Sequence, residues 1–317
     1  MKKVLIIGIN GFVGIHLSNE FKKNDYKVYG ADLNIDNFDD KIRLFKLDIL
    51  DKNNVLEVIK NVSPDCIINL AAISSVKLSW EIPQKTIDVN INGTINILES
   101  IKELNLKTRL LLIGSSEQYG DIDYTRPVSE EEELNALNPY GISKATQEKV
   151  AKLYSRVYGI DVMMVRAFNH IGPGQGKGFV VPDFVSQIVE IENGILEPII
   201  KVGNLSAERD FTDVRDIVSA YRLILENGNN GEVYNVGSGK AISIREILDI
   251  IVDKSRTKVK IEIDKNKFRP IDTPKIECNN NKLKNETGWN IKYSIEESIE
   301  DIIEYWRKYS INGGENE

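Results

Sequence analysis

The fold is decided by the stretch Val4-Leu5-Ile6-Ile7-Gly8-Ile9-Asn10-Gly11-Phe12-Val13-Gly14. Four apolar residues without a polar break read as a short strand buried on both faces. Three glycines spaced G-x-x-G-x-x-G follow at once, and Phe12, Val13, Leu17 and Phe21 then mark a helix. A strand that passes through glycines into a helix can turn tightly and let a pyrophosphate approach the backbone. The phosphate charge then meets the open N–H groups of the helix start. A glycine triplet by itself is common in loops. What strengthens it here is Asp32, which ends the next strand-like run, where a carboxylate can accept hydrogen bonds from the adenosine ribose hydroxyls. A second glycine-rich stretch, residues 172–178, contains Pro173 and lacks a comparable strand and helix around it, so it reads as a loop.

Outward from that stretch, strand-like runs at residues 4–7, 27–31, 42–47, 66–70, 109–113 and 162–166 alternate with helical stretches such as 51–61 and 86–103. This alternation predicts right-handed crossovers and a parallel sheet in an α/β, Rossmann-like doubly wound fold. Continuous apolar strands such as Leu110-Leu111-Leu112-Ile113 suit a sheet covered on both sides. Beyond residue 170 the pattern loosens. Helices are expected at 181–192, 214–225, 243–254 and 295–307, and strands at 199–202, 233–236 and 259–263. The tail 312–317 reads as frayed.

Composition narrows the classes. The chain has 317 residues, is 41% hydrophobic and carries a formal net charge of -7. That is enough for one large domain or two ordinary ones. The acidic balance argues against a general nucleic-acid binder, which needs a basic face. No run approaches the length of a spanning helix, and the N-terminus lacks a signal-peptide pattern, so no membrane partner and a cytoplasmic location are expected. Cys66 and Cys278 stand in no metal-ligand spacing; they read as reduced thiols, and no metal site is expected.

The second chemical signal is Tyr140-Gly141-Ile142-Ser143-Lys144. Positions i and i+4 share a helix face, so phenol and ammonium point the same way. A nearby cation is expected to lower the tyrosine pKa and ease proton transfer. Tyr-x-x-x-Lys occurs by chance in many helices. Here it follows Asn138-Pro139, a helix-start signature, and lies downstream of a strand ending in Gly114-Ser115-Ser116. A hydroxyl at the carboxyl end of a parallel strand faces the crevice where this architecture binds ligands.

With these residues in view, the chain resembles the extended short-chain dehydrogenases/reductases (the NAD-dependent epimerase/dehydratase group), and more closely the GDP-4-keto-6-deoxy-D-mannose reductases. The general part of the resemblance is Gly8–Gly14, Asn69-Leu70-Ala71-Ala72 and Val89-Asn90-Ile91-Asn92-Gly93-Thr94. The more specific part is Gly114-Ser115-Ser116-Glu117-Gln118-Tyr119-Gly120, Phe168-Asn169-His170-Ile171-Gly172-Pro173-Gly174-Gln175, Gly178-Phe179-Val180-Val181-Pro182-Asp183-Phe184, Val202-Gly203-Asn204-Leu205 and Arg209-Asp210-Phe211-Thr212-Asp213-Val214-Arg215-Asp216. It implies NAD(P)H as cofactor, with Gly8, Gly11, Phe12, Val13, Gly14, Asp32, Asp48, Ile49, Leu70, Ala71 and Ala72 around it. It implies Ser115, Tyr140 and Lys144 as the catalytic set, Tyr140 giving the proton and Lys144 also holding the nicotinamide ribose. It implies Ser115, Glu117, Asn169, Arg209 and Arg269 as substrate contacts, with the last three near a nucleotide-sugar diphosphate. It further implies a dinucleotide-binding domain at 1–167, to which the chain returns around 203–236, and a smaller substrate-binding domain at 168–202 and 237–317. A homodimer through the helices holding residues 86–103 and 140–158 completes the expectation.

The activity implied by the resemblance is reduction of C4 of a GDP-linked 4-keto-6-deoxyhexose, giving a GDP-6-deoxyhexose such as GDP-D-rhamnose. Two alternatives stay open: a nucleotide-sugar 4-epimerase, and a GDP-mannose 4,6-dehydratase, which uses a carboxylate two residues after its catalytic Thr, where this chain has Glu117. Dehydratases carry paired arginines in the loop after Asn-His; residues 169–208 here contain none. A non-catalytic dinucleotide sensor on the same fold would commonly lose the Tyr/Lys pair, which this chain keeps. Bland readings apply elsewhere. His170 is expected to support its loop and His16 to be structural or surface. Glu130 to Glu133 read as a solvated loop, and Trp80, Trp289 and Trp306 as packing residues.

Overall fold

The computed structural model describes residues 1–35, 41–268 and 273–311; Arg269 and the tail 312–317 lie outside them. The first half alternates strand and helix: β1 (Lys3–Ile7), α1 (Phe12–Lys23), β2 (Lys27–Asp32), β3 (Arg43–Lys46), α2 (Lys52–Val62), β4 (Cys66–Asn69), α3 (Val76–Glu81), α4 (Pro83–Ile87), α5 (Gly93–Glu103), β5 (Arg109–Ser115), α6 (Pro139–Tyr158) and β6 (Val162–Ala167). The second half runs β7 (Asn169–Ile171), α7 (Val180–Glu192), β8 (Ile199–Val202), β9 (Glu208–Asp213), α8 (Val214–Asn227), β10 (Val233–Val236), β11 (Ala241–Ser243), α9 (Ile244–Asp253), β12 (Lys260–Ile263), β13 (Lys275–Ile276), α10 (Asn281–Thr287) and α11 (Ile295–Ile311).

Seven strands form one sheet in the order β10-β6-β5-β4-β1-β2-β3, and every pairing in it is parallel. This is the doubly wound α/β arrangement expected from the alternation. The apolar run of β1 explains its central place. Val4 and Ile6 pack into the core on one face, with Leu17 and Phe21 of α1 and Ile217 and Tyr221 of α8. Leu5 and Ile7 pack into the core on the other, with Val55 and Ile59 of α2 and Ile97 of α5. All four are fully buried, each worth roughly 1.5–3 kcal/mol relative to exposure. Strand order reverses between β1 and β4, so the crevice at their carboxyl ends is where ligands of such sheets bind.

The remaining strands lie apart from this sheet. β9 pairs with β7, β11 and β13, and β8 pairs with β12. A separate apolar core joins α7, α9 and α11 through Val185, Ile188, Ile247, Ile251, Ile299 and Ile303. Within 203–236, α8 and β10 join the large sheet while β9 belongs to the smaller one.

Three differences from the sequence expectation have identifiable causes. The single helix expected over 86–103 is broken by a π-helical turn at Asp88–Asn92. The turn carries Asn90 inward, where Oδ1 accepts from Ile73 N at 2.9 Å and Nδ2 donates to Ser143 Oγ at 2.8 Å. Residues 169–171, for which the sequence predicts no strand, form β7 because β9 offers a parallel partner. β9 itself hides from hydropathy because it opens Glu208-Arg209-Asp210. The Asp210 carboxylate is nevertheless fully buried, accepting from Ser238 N, Ser238 Oγ, Gly239 N and Cys278 N at 2.6–3.0 Å. No helix among the described residues is long and apolar enough to cross a membrane.

Candidate active site

At the β1–β4 reversal the two chain segments touch. Gly8 N donates to Ala31 O and Leu70 N to Ile7 O, both at 2.8 Å. Gly8 has φ +86°, and a Cβ there would lie 2.8 Å from Ala71 N. Gly14 is needed for a different reason: a Cβ would fall 2.3 Å from Ile9 O. Gly11 starts α1 with no side-chain cap, and the first turn of that helix holds no acidic residue. Its leading N–H groups are therefore open to an anion, with the positive end of the helix dipole behind them. Asp32 closes the other side, its two oxygens accepting from Asn10 N at 2.9 Å and Leu33 N at 2.8 Å. Asp48 is exposed beside Ile49, whose side chain packs against Gly93. Phe12 and Val13 are half-buried on α1. Of the predicted cofactor set, Gly8, Gly11, Asp32, Leu70 and Ala71 thus lie at or just beyond the carboxyl ends of β1, β2 and β4, and Asp48 and Ile49 lie beyond the end of β3.

Ser115 ends β5, two strands away from β1, and Tyr140 and Lys144 sit one turn apart on α6. Asn138 Oδ1 caps α6 by accepting from Gly141 N at 2.8 Å, with Pro139 in the first turn. All three catalytic candidates are buried. Burial pushes the Tyr140 phenol up to about 12, the Ser115 hydroxyl pulls back by hydrogen bonding, and the Glu117 charge adds a further upward push. Burial alone brings the Lys144 ammonium down to about 7. The expected lowering of the Tyr140 pKa by Lys144 is therefore corrected. Both groups are desolvated by burial, and Lys144 Nζ donates instead to Ile113 O at 2.7 Å and Gln147 Oε1 at 3.2 Å. Tyr140 consequently keeps its proton throughout the neutral range. Ser115 Oγ accepts from Glu117 N at 3.2 Å, which leaves its own hydrogen to donate.

Glu117 is held rather than free. Its Oε2 accepts from Asn138 Nδ2 at 2.8 Å, so one side chain both caps the catalytic helix and orients the carboxylate. Asn169, on β7, is exposed. Arg209 donates through Nη1 to Glu208 O at 2.8 Å and Thr273 O at 2.6 Å, which ties β9 to the segment following Arg269. Tyr124 adds a phenol in this neighbourhood, with Glu117 and Arg209 among the charges acting on it.

Sequence reasoning missed Asn90, Gln118, Glu148 and Arg166 as site supports, and read Asn138 as the start of the helix but not as a partner of Glu117. Glu148 carried a signal, being four residues beyond Lys144 on the same helix face. The bland readings fared unevenly. His170 Nδ1 donates to Phe168 O at 3.1 Å and its ring stacks over Phe12, while His16 Nε2 donates to Pro173 O at 2.8 Å; both histidines tie the 172–178 loop region to α1. Trp289 is buried, Trp306 is half-buried against the third core, but Trp80 is 55% exposed and does not pack inside. Glu130 is not simply solvated: its Oε1 accepts from Asn235 N at 2.7 Å, and burial raises its carboxyl above the ordinary range. Cys66 and Cys278 are buried free thiols.

The family model described as GDP-mannose 4,6 dehydratase matches residues 5–302. The chain belongs to this family. It is an enzyme of the extended short-chain dehydrogenase/reductase group, as its motifs suggested. GDP-6-deoxy-D-mannose reductase of Pseudomonas aeruginosa is 29% identical over 306 residues, covering 96% of this chain and 97% of that protein. The structure of RMD from Pseudomonas aeruginosa complexed with NADPH is similar with a TM-score of 0.87 and 29% identity, covering 97% of this chain and 99% of that one. The UDP-glucose 4-epimerase of Thermotoga maritima, solved with UDP-glucose, also has a TM-score of 0.87, at 26% identity, over 97% of this chain and 99% of that one.

Proposed function

We propose that this chain is a GDP-4-dehydro-6-deoxy-D-mannose reductase, using NAD(P)H to reduce C4 of a GDP-linked 4-keto-6-deoxyhexose to a GDP-6-deoxyhexose such as GDP-D-rhamnose. The observation that carries the reading is the Tyr140 phenol beside the Ser115 hydroxyl at the carboxyl edge of the sheet, with the glycine turn of α1 on the same edge. The residues present fit a dinucleotide: Gly8 permits the tight turn and Gly11 leaves room, the first turn of α1 carries no acidic side chain to compete with an anion, and Asp32 presents a carboxylate suited to a ribose. A bound nicotinamide supplies the hydride. Ser115 donates to the C4 oxygen and aligns it, and Tyr140 gives its proton to that oxygen as the C=O bond becomes a C–H and an O–H. Arg209, with Arg269, serves the diphosphate, where guanidinium groups bind bidentately and remote binding energy is spent at the reacting carbon.

Two other activities fit the family, and each has support of its own. Likeness to the Thermotoga epimerase favours a redox-neutral 4-epimerase. The family description and the position of Glu117 favour a dehydratase. Against dehydration stand the tether of Glu117 to Asn138 and the arginine-free loop after Asn169-His170. The division into a dinucleotide-binding domain (1–167, with the return at 203–236) and a substrate-binding domain (168–202 and 237–317) belongs to the same proposal, as does a cytoplasmic homodimer. The dimer reading is supported by exposed apolar side chains on α3, α4 and α6: Trp80, Ile87, Ile142, Leu153, Val157 and Tyr158. Incubation with GDP-4-keto-6-deoxymannose and NAD(P)H, followed by NMR of the sugar, tests the activity; a sugar unreduced at C4 would overturn it.

A further inference from the structure

Behind Ser115 lies a buried chain of hydrogen bonds that the reaction itself does not use. Arg166 of β6 grips Glu148 of α6 bidentately, Nε to Oε2 at 2.9 Å and Nη2 to Oε1 at 2.8 Å, with both side chains 5% exposed or less. Burial pushes the Glu148 carboxyl upward, but the guanidinium outweighs it and keeps the group below its ordinary range, so the pair is ionised. Glu148 Oε2 also accepts from Gln118 Nε2 at 2.9 Å. Gln118 is fully buried in the turn that follows β5, and its Oε1 accepts from Ser115 N at 2.8 Å.

The amide of Gln118 has two possible orientations, and charge selects one. Turned over, its oxygen would face the Glu148 carboxylate and its NH₂ the Ser115 N–H, two repulsive contacts in a dry site where unmade hydrogen bonds are costly. The turn has little freedom to move instead. Gly114 is so closely approached that a Cβ there would lie 2.1 Å from Gln118 Oε1. The far end is anchored too: Arg166 Nη1 donates to Tyr119 OH at 3.0 Å, and Tyr119 OH donates to Asn235 Oδ1 of β10 at 2.6 Å.

We propose that Gln118 is a positioning residue for the Ser115 hydroxyl, locked in a single orientation by the Glu148–Arg166 ion pair. The proposal rests on the reading above that Ser115 donates to the C4 oxygen. Gln118 touches no reacting atom; it fixes the backbone from which the hydroxyl projects, and a displacement of about 1 Å at such a group can cost on the order of 10²-fold in rate.

The test is a double-mutant cycle with GDP-4-keto-6-deoxymannose and NAD(P)H, using Gln118→Met and Ser115→Ala. Gln118→Met in the parent should lower kcat by about 10- to 100-fold with KM nearly unchanged. In the Ser115→Ala background the same change should lower kcat by no more than about twofold, because there is no hydroxyl left to place. Equal losses in both backgrounds, or no loss in the parent, overturn the proposal. A Ser115→Ala enzyme as fast as the parent instead overturns the role of the serine itself, and the proposal with it.

Gln118→Glu keeps the test valid if the methionine variant does not fold. Two carboxyls at hydrogen-bond distance share one proton. With that proton, Glu at 118 still accepts from Ser115 N and donates to Glu148; without it, the two repel. Arg166 of β6, Lys152 and Lys144 of α6 and Tyr119 of the turn face this site in both enzymes, so the ratio of variant to parent kcat isolates the new carboxyl. That ratio should fall at least about tenfold as pH rises through the shared proton's pKa, with a one-proton slope. A ratio flat from pH 5 to 9 overturns the proposal.

Discussion

Replacing Gly11 with alanine should weaken the binding of the cofactor to this chain while leaving its fold intact. A Cβ built on Gly11 meets one atom of the protein, Gly8 O, at 3.4 Å, an ordinary contact. Its φ of −70° suits alanine. The folded chain loses little more than the preference of a helix start for glycine over alanine, about 0.5–1 kcal/mol. Gly14 is the contrast. Its Cβ would lie 2.3 Å from Ile9 O and 2.6 Å from Gly8 O, both backbone atoms that cannot rotate away. Gly14→Ala forces the turn apart, a strain of about 1–3 kcal/mol on the fold itself. The open space at Gly11 therefore meets no need of the protein, and a methyl group there intrudes on whatever sits over the α1 N-terminus. An intrusion worth about 1–3 kcal/mol weakens binding about 5- to 150-fold. Urea unfolding without cofactor and fluorescence titration with NADH separate the two effects. Gly11→Ala should unfold within about 1 kcal/mol of the parent yet bind NADH at least about fivefold more weakly, while Gly14→Ala should lose both. A Gly11→Ala protein with the parent's Kd for NADH would refute the placement of the pyrophosphate.

Tyr140→Phe keeps the ring, removes the proton donor, and should lower turnover by about 10²–10⁴; steady-state rates close to the parent would take Tyr140 out of the reaction. Lys144 sits at about 7 in the fold against 10.5 in the unfolded chain. Between those values the unfolded chain holds more protons, so this group makes stability rise with pH. Thermal unfolding of cofactor-free Lys144→Met should show its largest advantage over the parent at pH 7 and below, a few kcal/mol at most, closing toward pH 10; parallel curves across that range would contradict the burial argument. Leu153→Glu on the exposed face of α6 should shift the protein to monomer in light scattering without lowering its unfolding temperature. An unchanged oligomeric mass, or a monomeric parent, would remove this face as the dimer contact.

What the sequence disclosed was local. β1 declared itself because four consecutive apolar residues are buried on both faces, and α1 because glycines and helical spacing follow without a gap. Tyr140 and Lys144 could be paired because i and i+4 share a helix face, and Ser115 because it ends a strand. What stayed hidden depends on contacts between distant residues. β9 begins with three charged residues, and only the fold supplies the four donors that make Asp210 a buried acceptor. The π-helical turn at Asp88–Asn92 exists because Asn90 reaches Ile73 and Ser143, neither of which is its neighbour in sequence. The pKa argument for Tyr140 failed for a related reason. Spacing brought a lysine near the phenol but said nothing of the desolvation of both groups or of the Ile113 carbonyl that holds the ammonium.

The most direct test of the proposed activity supplies the purified protein with two mixtures: GDP-4-keto-6-deoxymannose with NAD(P)H, and GDP-mannose with catalytic NAD(P)⁺. A reductase with a protonated Tyr140 and a tethered Glu117 should oxidise one NAD(P)H per keto sugar in the first and release no keto sugar in the second. Accumulation of the 4-keto-6-deoxy product from GDP-mannose, at a rate similar to the reduction, would contradict the account and make Glu117 the base of a dehydratase.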